Sequence, residues 1–185
     1  MEVRELGLGV KEITPRRFGD ARGFFAETWQ RQRFTDIGID VDWVQENQSF
    51  SADKHVLRGL HLQVNPMAQA KLLRVLRGSI FDVAVDVRPD SPTLGQWVAC
   101  TLSSETLKQL YVPVGFAHGF LTLEPDVEVF YKVSAPYAPA CERGIMWNDE
   151  DIAIDWPLPA GKQPILSDKD RAAMSLVSFV ASGEI

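Results

Sequence analysis

The sequence is poor in the residues that mark a metalloprotein, a disulfide scaffold or a membrane protein. Only two cysteines, Cys100 and Cys141, occur in 185 residues. Their spacing fits neither a zinc nor a redox motif, and two cysteines make no disulfide framework, so they read as thiols in a reducing cytosol. No stretch approaches the roughly 20 apolar residues of a membrane-spanning helix. The opening MEVRELGLGVKEITP lacks the apolar run of a secretory signal, and without one the sequon Asn47-Gln48-Ser49 means little. The expectation is a cytoplasmic protein with no membrane contact. Basic residues are in the minority too: 19 Lys and Arg against 25 Asp and Glu give a net charge of -6. With no basic stripe, the chain argues against nucleic-acid binding, which needs phosphate-neutralising cations. An anionic small ligand would have to find its positive contacts locally.

What is present suits an ordinary globular domain, with 45% apolar and 24% charged residues and no low-complexity tract. The length allows one well-buried core and is short for two. Neither a repeat nor a linker divides the chain, so one domain over residues 1–185 is expected. Most of it reads as short strands. The clearest is Ser79–Val87, where Phe81, Val83, Val85 and Val87 alternate with Ile80, Asp82, Ala84 and Asp86, between Gly78 and the turn-forming Arg88-Pro89-Asp90-Ser91-Pro92. Similar patterns cover Arg22–Trp29, Trp43–Phe50, Val56–Gln63, Lys71–Arg77, Gln96–Leu102, Gln109–Val112, Phe116–Leu123 and Val127–Ala135. Short strands separated by Gly and Pro predict a sandwich or barrel. Helix signals are few: Gln30–Ile37 closed by Gly38, one turn at Asp149–Ile154, and a Ser-capped segment at Ser167–Met174.

Chemistry has few candidates. Of three histidines, His61 lies in Leu57-Arg58-Gly59-Leu60-His61-Leu62-Gln63, sharing a strand face with Gln63. His118 enters a strand after the turn in Pro113-Val114-Gly115-Phe116-Ala117-His118. Either alone reads as a satisfied polar residue at a barrel mouth; two of them amid Arg, Gln and Lys favour a site. A metal is disfavoured. Gln63 stands where a second ligand would be, Leu62 to Leu76 holds neither Asp nor Glu, and Lys71 would oppose a divalent ion. Without metal, an imidazole can take an activated proton and a lysine ammonium can stabilise the oxyanion formed beside a ketone. A phenol such as Tyr131 can return a proton on the other face, and the carbon is then inverted. Tyr131 in Val127-Glu128-Val129-Phe130-Tyr131-Lys132-Val133 reads equally well as a core tyrosine, and Asp170 as a surface helix acid. Arg58 and His61, three apart, fall on opposite faces of a regular strand. Both reach one ligand only if Gly59 supports a bulge, or if Arg58 lies at a strand edge or interface.

Several motifs in order carry a family resemblance: Phe18-Gly19-Asp20-Ala21-Arg22-Gly23-Phe24-Phe25-Ala26-Glu27, Gln45-Glu46-Asn47, Leu57-Arg58-Gly59-Leu60-His61 and Gln69-Ala70-Lys71. They continue through Phe81 to Arg88, Pro113 to Phe120, Tyr131-Lys132, Tyr137-Ala138-Pro139 and Leu166-Ser167-Asp168-Lys169-Asp170. From about Thr14 to Asp170 the chain resembles the dTDP-4-dehydrorhamnose 3,5-epimerases. The resemblance implies a mainly β, cupin-type double-stranded β-helix, or jelly-roll barrel, with a few short peripheral helices. It also implies a homodimer with exchanged N-terminal strands and no cofactor. The implied activity is epimerisation of dTDP-4-dehydro-6-deoxy-D-glucose at C3 and C5 to dTDP-4-dehydro-L-rhamnose. A relative inverting only one centre, a metal-dependent cupin enzyme and a non-catalytic sugar-nucleotide binder are the alternatives.

By that resemblance His61 is the base, oriented by Asp170 rather than Asp168, Tyr131 is the acid, and Lys71 steadies the enolate oxygen. Arg22, Glu27, Gln45, Glu46, Asn47, Arg58, Gln63, His118, Glu142 and Lys169 bind the dTDP-4-keto-6-deoxy sugar, and Tyr137 stacks on thymine. Arg22 and Glu27 would serve the neighbouring subunit. The sequence departs from the family in Gln48-Ser49, where His-Ser is usual, in one extra residue before Arg58, and in Leu62 in place of an aromatic.

Overall fold

A computed structural model describes residues 1–184. Thirteen strands dominate it. β1 (Glu2–Gly7), β2 (Val10–Thr14), β3 (Arg17–Asp20) and β4 (Gly23–Ala26) come first. Eight more follow: β5 (Gln45–Ser51), β6 (Leu57–Gln63), β7 (Lys71–Arg77), β8 (Ser79–Asp86), β9 (Trp97–Ser103), β10 (Gln109–Val112), β11 (Phe116–Thr122) and β12 (Val127–Val133). β13 (Glu142–Gly144) is last. One sheet runs β1-β2-β10-β7-β12-β5, the other β13-β6-β11-β8-β9, and β3-β4 form a separate hairpin. Within β5 to β12 the neighbours are 5-12-7-10 in one sheet and 6-11-8-9 in the other, all antiparallel. This is the jelly-roll order, two nested Greek keys, and the expected cupin-type barrel. β1 and β2 extend one sheet and β13 the other.

Alternation explains the layers. On β8, Ile80 and Ala84 point between the sheets, where they pack with Leu73, Val129, Phe116 and Phe120. Val83 and Val85, with Val87 just past the strand end, point outward, against Trp156, Leu176 and Phe179 from the C-terminal segment. Phe81 meets the Trp156 ring edge-on. Both faces of β8 are therefore buried, although a half-exposed strand gives the same alternation. A third cluster seats Phe34 and Ile39 on Ile13 and Leu72, covering the outside of the six-stranded sheet.

The helices are shorter than expected or differently placed. α1 is Arg31–Thr35, with Gln30 as its N-cap and Gly38 at φ 81° three residues beyond Thr35. Asp149–Ile154 is the expected single turn, closed by the Ala153 amide on the Asp149 carbonyl. The Asp149 carboxylate accepts from the amides of Asp151, Ile152 and Leu176, spending itself on a cross-link to the C-terminal segment. α2 is only Asp168–Arg171, capped by Ser167, because Met174 is drawn into a bridge with Ile145. α3 (Leu176–Ser182) was not anticipated, although Ser175 caps it and Gly183 takes the left-handed conformation after it. The expected strand Arg22–Trp29 shrinks to β4, and β1 to β3 are additional. β1 lacked an apolar signal because it lies exposed at the sheet edge.

Candidate active site

The open end of the barrel holds two adjoining cavities of about 310 and 280 Å³. One wall comes from the six-stranded sheet. Tyr131 on β12 lies opposite Leu73 on β7 and Asn47 on β5, Val129 lies opposite Ser49, and Val133 lies opposite Lys71 and Gln45. Register therefore puts Gln45, Asn47, Ser49, Lys71 and Leu73 on the face of Tyr131. The other wall comes from β6 and β11, with Arg58, His61, His118 and Phe120. His61, Lys71 and Tyr131 line both cavities and stand at their junction. The imidazole and the phenol reach it from opposite sheets.

The parity of Arg58 and His61 is resolved by a bulge. His118 pairs with His61 and Phe120 with Arg58, so three steps on β6 match two on β11. The extra residue turns Arg58 back onto the face of His61. Gly59 makes the bend, at φ 129°, and a Cβ there would lie 2.5 Å from the Gly119 Cα. Arg58 bonds the Phe50 carbonyl at 2.9 Å and the Ser51 hydroxyl at 3.2 Å.

His61 Nε2 lies 2.5 Å from Asp170 Oδ1, across 109 residues of sequence. That leaves Nδ1 as the free ring nitrogen. Ser167 donates its hydroxyl to Asp170 Oδ2 at 2.7 Å and accepts the Asp170 amide, so one side chain both caps α2 and fixes the carboxylate. Burial pushes Asp170 up, but the hydrogen bonds from His61 and Ser167, with the charges of His61 and Lys169, outweigh it and hold the carboxyl below its usual range.

Lys71 is buried and donates from Nζ to the His61 carbonyl at 3.1 Å. Burial lowers it from 10.5 to about 8, against the pull of Asp82 and Glu142. Tyr131 is shifted up by burial, with Arg58 opposing, so it holds its proton at neutral pH. His118 Nε2 meets Asp82 Oδ1 at 2.8 Å.

At the mouth, Tyr137 donates to Glu142 at 2.6 Å, and Glu142 is paired with Lys169. Gln45 accepts the Tyr137 amide and donates to Asn47. Gln63 lines the second cavity, but its amide is spent on Met67, Pro136 and Ala138 backbone groups, holding that rim together.

Three expected ligand residues lie elsewhere. Glu46 points out of the sheet and pairs with Lys132, because alternation sends it away from Gln45 and Asn47. Arg22 sits in the β3-β4 turn, bonded to Asp20, with its side chain 90% exposed. Glu27 pairs with Arg33 away from both cavities. Asp168 is turned outward to Arg171, which leaves Asp170 as the partner of His61. Conversely, Ser49, Asp82 and Ser167 were not singled out for the site. The cap signal at Ser167 is the one local clue in the sequence, and it points only to the last of them.

Among the described residues no group of three His, Cys, Asp or Glu side chains is arranged to hold a metal ion.

A sequence profile described as dTDP-4-dehydrorhamnose 3,5-epimerase matches residues 8–178. The chain belongs to that family. Its Sinorhizobium fredii member is 49% identical over 173 residues, 94% of this chain and 88% of that one. The solved rmlC epimerase of Mycobacterium tuberculosis superposes with a TM-score of 0.95 at 43% identity, covering 100% of this chain and 93% of that one. The Legionella pneumophila dTDP-6-deoxy-D-glucose-3,5-epimerase, solved with dTDP-4-keto-L-rhamnose, gives 0.88 at 47% identity over 94% and 90% of the two chains. This family member is an epimerase, an isomerase by reaction type, built on the jelly roll its motifs imply.

Proposed function

We propose that this epimerase converts dTDP-4-dehydro-6-deoxy-D-glucose to dTDP-4-dehydro-L-rhamnose by inverting C3 and C5, on the route to dTDP-L-rhamnose, without a metal. At each centre the Nδ1 of His61 takes the proton beside the C4 ketone, and the electron pair moves onto the C4 oxygen. The Lys71 ammonium meets that oxygen as charge develops; one such preorganised donor is worth about 3–4 kcal/mol. Tyr131 returns a proton to the same carbon from the opposite face; His61 then releases its proton to solvent and Tyr131 takes one up, which restores both groups. The reading is carried by the junction of the two cavities, where His61 comes from β6 and Tyr131 from β12 of the other sheet. A cation beside two imidazoles favours chemistry without a divalent ion.

Arg58 and Lys169 supply cationic groups for the diphosphate, His118 lines the sugar cavity beside them, and the half-exposed Tyr137 ring offers a face for thymine. The protein works in the cytoplasm as a homodimer, a reading favoured by the two unpaired cysteines and by the β3-β4 hairpin. Phe18, Phe24 and Phe25 on that hairpin are 50%, 50% and 69% exposed, more apolar surface than a lone hairpin usually presents to water. Exchanged between subunits, it would carry Arg22 and Glu27 to the partner's pocket. A proton NMR time course of the dTDP-keto-sugar in deuterium oxide, with no metal added, tests the assignment. Loss of both the C3 and C5 signals is expected. Loss of one alone identifies a single-centre epimerase, and loss of neither overturns the proposal.

A further inference from the structure

Asp82 plays no part in the scheme above, yet it is fully buried directly behind the cavity. It lies on β8 with Ile80 and Ala84 as its same-face neighbours, opposite Cys100 on β9 and Phe120 on β11. An apolar residue would pack in that setting at far lower desolvation cost than a carboxylate. One oxygen is bonded to His118 Nε2 at 2.8 Å, while Oδ2 has no partner among the described residues. The His118 ring it holds is the register partner of His61 on the adjacent strand. Two imidazoles thus lie side by side, each tied through Nε2 to its own buried carboxylate, Asp170 or Asp82.

We propose that Asp82 is a positioning residue for the epimerisation: it fixes His118 in the tautomer protonated at Nε2, and its negative charge holds the Lys71 ammonium beside the reacting ketone. With Nε2–H given to Asp82, Nδ1 of His118 is left to accept a hydrogen bond from a substrate hydroxyl. Lys71 is surrounded by Arg58 and His61 of β6, Asp82 of β8, His118 of β11 and Tyr131 of β12. Glu142 of β13 and Lys169 and Asp170 of α2 complete its surroundings. Burial and Lys169 push Lys71 toward the neutral amine, and Asp82 and Glu142 pull it back. Burial likewise raises Asp82 overall, and the bond and charge of His118 and the charge of Lys71 oppose that rise. The carboxylate and the ammonium therefore sustain each other.

The inference rests on the assignment of Lys71 to the enolate oxygen. Asp82→Asn keeps the shape and an acceptor for His118 but removes the charge. Its kcat at pH 8 is expected to fall by about tenfold or more, with little change in KM, and its alkaline limb should move to lower pH as Lys71 loses its counter-charge. A wild-type kcat and limb would overturn the proposal. So would a lower kcat with the limb unmoved, which indicates a purely structural role. Should Asp82→Asn not fold, NMR of the wild-type protein decides: ¹⁵N shifts placing the His118 proton on Nε2, and an ionised Asp82 ¹³C carboxyl at pH 7, are expected. A proton on Nδ1, or a protonated Asp82, contradicts it. Lys71→Met separates the two claims: full activity there removes the assignment of Lys71 itself, whereas inactivity together with a wild-type-like Asp82→Asn removes only the role of Asp82.

Discussion

Arg58 and His61 face the same cavity although they are three residues apart on one strand. The bulge that allows this depends on Gly59, whose φ of 129° and contact with Gly119 leave no room for a side chain. Gly59→Ala would set a Cβ against backbone atoms at 2.5 and 2.8 Å, so β6 and β11 must part or the bulge must straighten. We expect a loss of about 2 kcal/mol or more in stability and a larger loss of activity, measured by chemical denaturation and by turnover.

Ser167 supports the base from behind. Ser167→Ala removes an N-cap and the hydroxyl on Asp170 Oδ2, costing about 1 kcal/mol of stability and lowering kcat with little effect on KM. The sign of its pH effect follows from linkage. A carboxyl whose folded value is depressed stabilises above the unfolded value and loses that contribution as pH falls through the folded one. Without the hydroxyl, Asp170 is less depressed, so the variant has less stability to lose to acid: its deficit against the wild type should be widest near pH 7 and narrow as pH falls below the unfolded value. Denaturation curves between pH 7 and pH 3 test this.

Tyr131→Phe separates the two proton transfers. His61 remains, so exchange of solvent deuterium into the substrate should persist while completed inversion falls much further. Equal loss of both would show that the phenol is no separate acid.

Much of this was legible in the sequence, for different reasons at different residues. The eight barrel strands follow from alternation and from Gly and Pro punctuation, and Gly59 announces the condition under which Arg58 and His61 can cooperate. Alternation also contained the exclusion of Glu46, one residue out of phase with Gln45 and Asn47. Asp170 was different. Its approach to His61 depends on the chain after β13 folding back through the Ile145–Met174 bridge, a tertiary event that no local pattern encodes. Only the resemblance pointed to it. Asp82 escaped notice because β8 is buried on both faces, so nothing local says which side looks into the barrel.

Arg22, exposed on its hairpin in the single chain, offers a test of strand exchange. Arg22→Ala and His61→Ala chains, each inactive alone, should regain about a quarter of wild-type activity when unfolded and refolded together, since half of the dimers carry one intact pocket. No recovery would place Arg22 outside the partner's site.

The central claim is that the His61 imidazole removes the proton beside the ketone. The most direct measurement is the rate of deuterium incorporation at C3 and C5 of the dTDP-keto-sugar by folded His61→Ala protein, followed by proton NMR beside the wild type. The account predicts that incorporation at both centres falls by about a hundredfold or more; incorporation at the wild-type rate would contradict it.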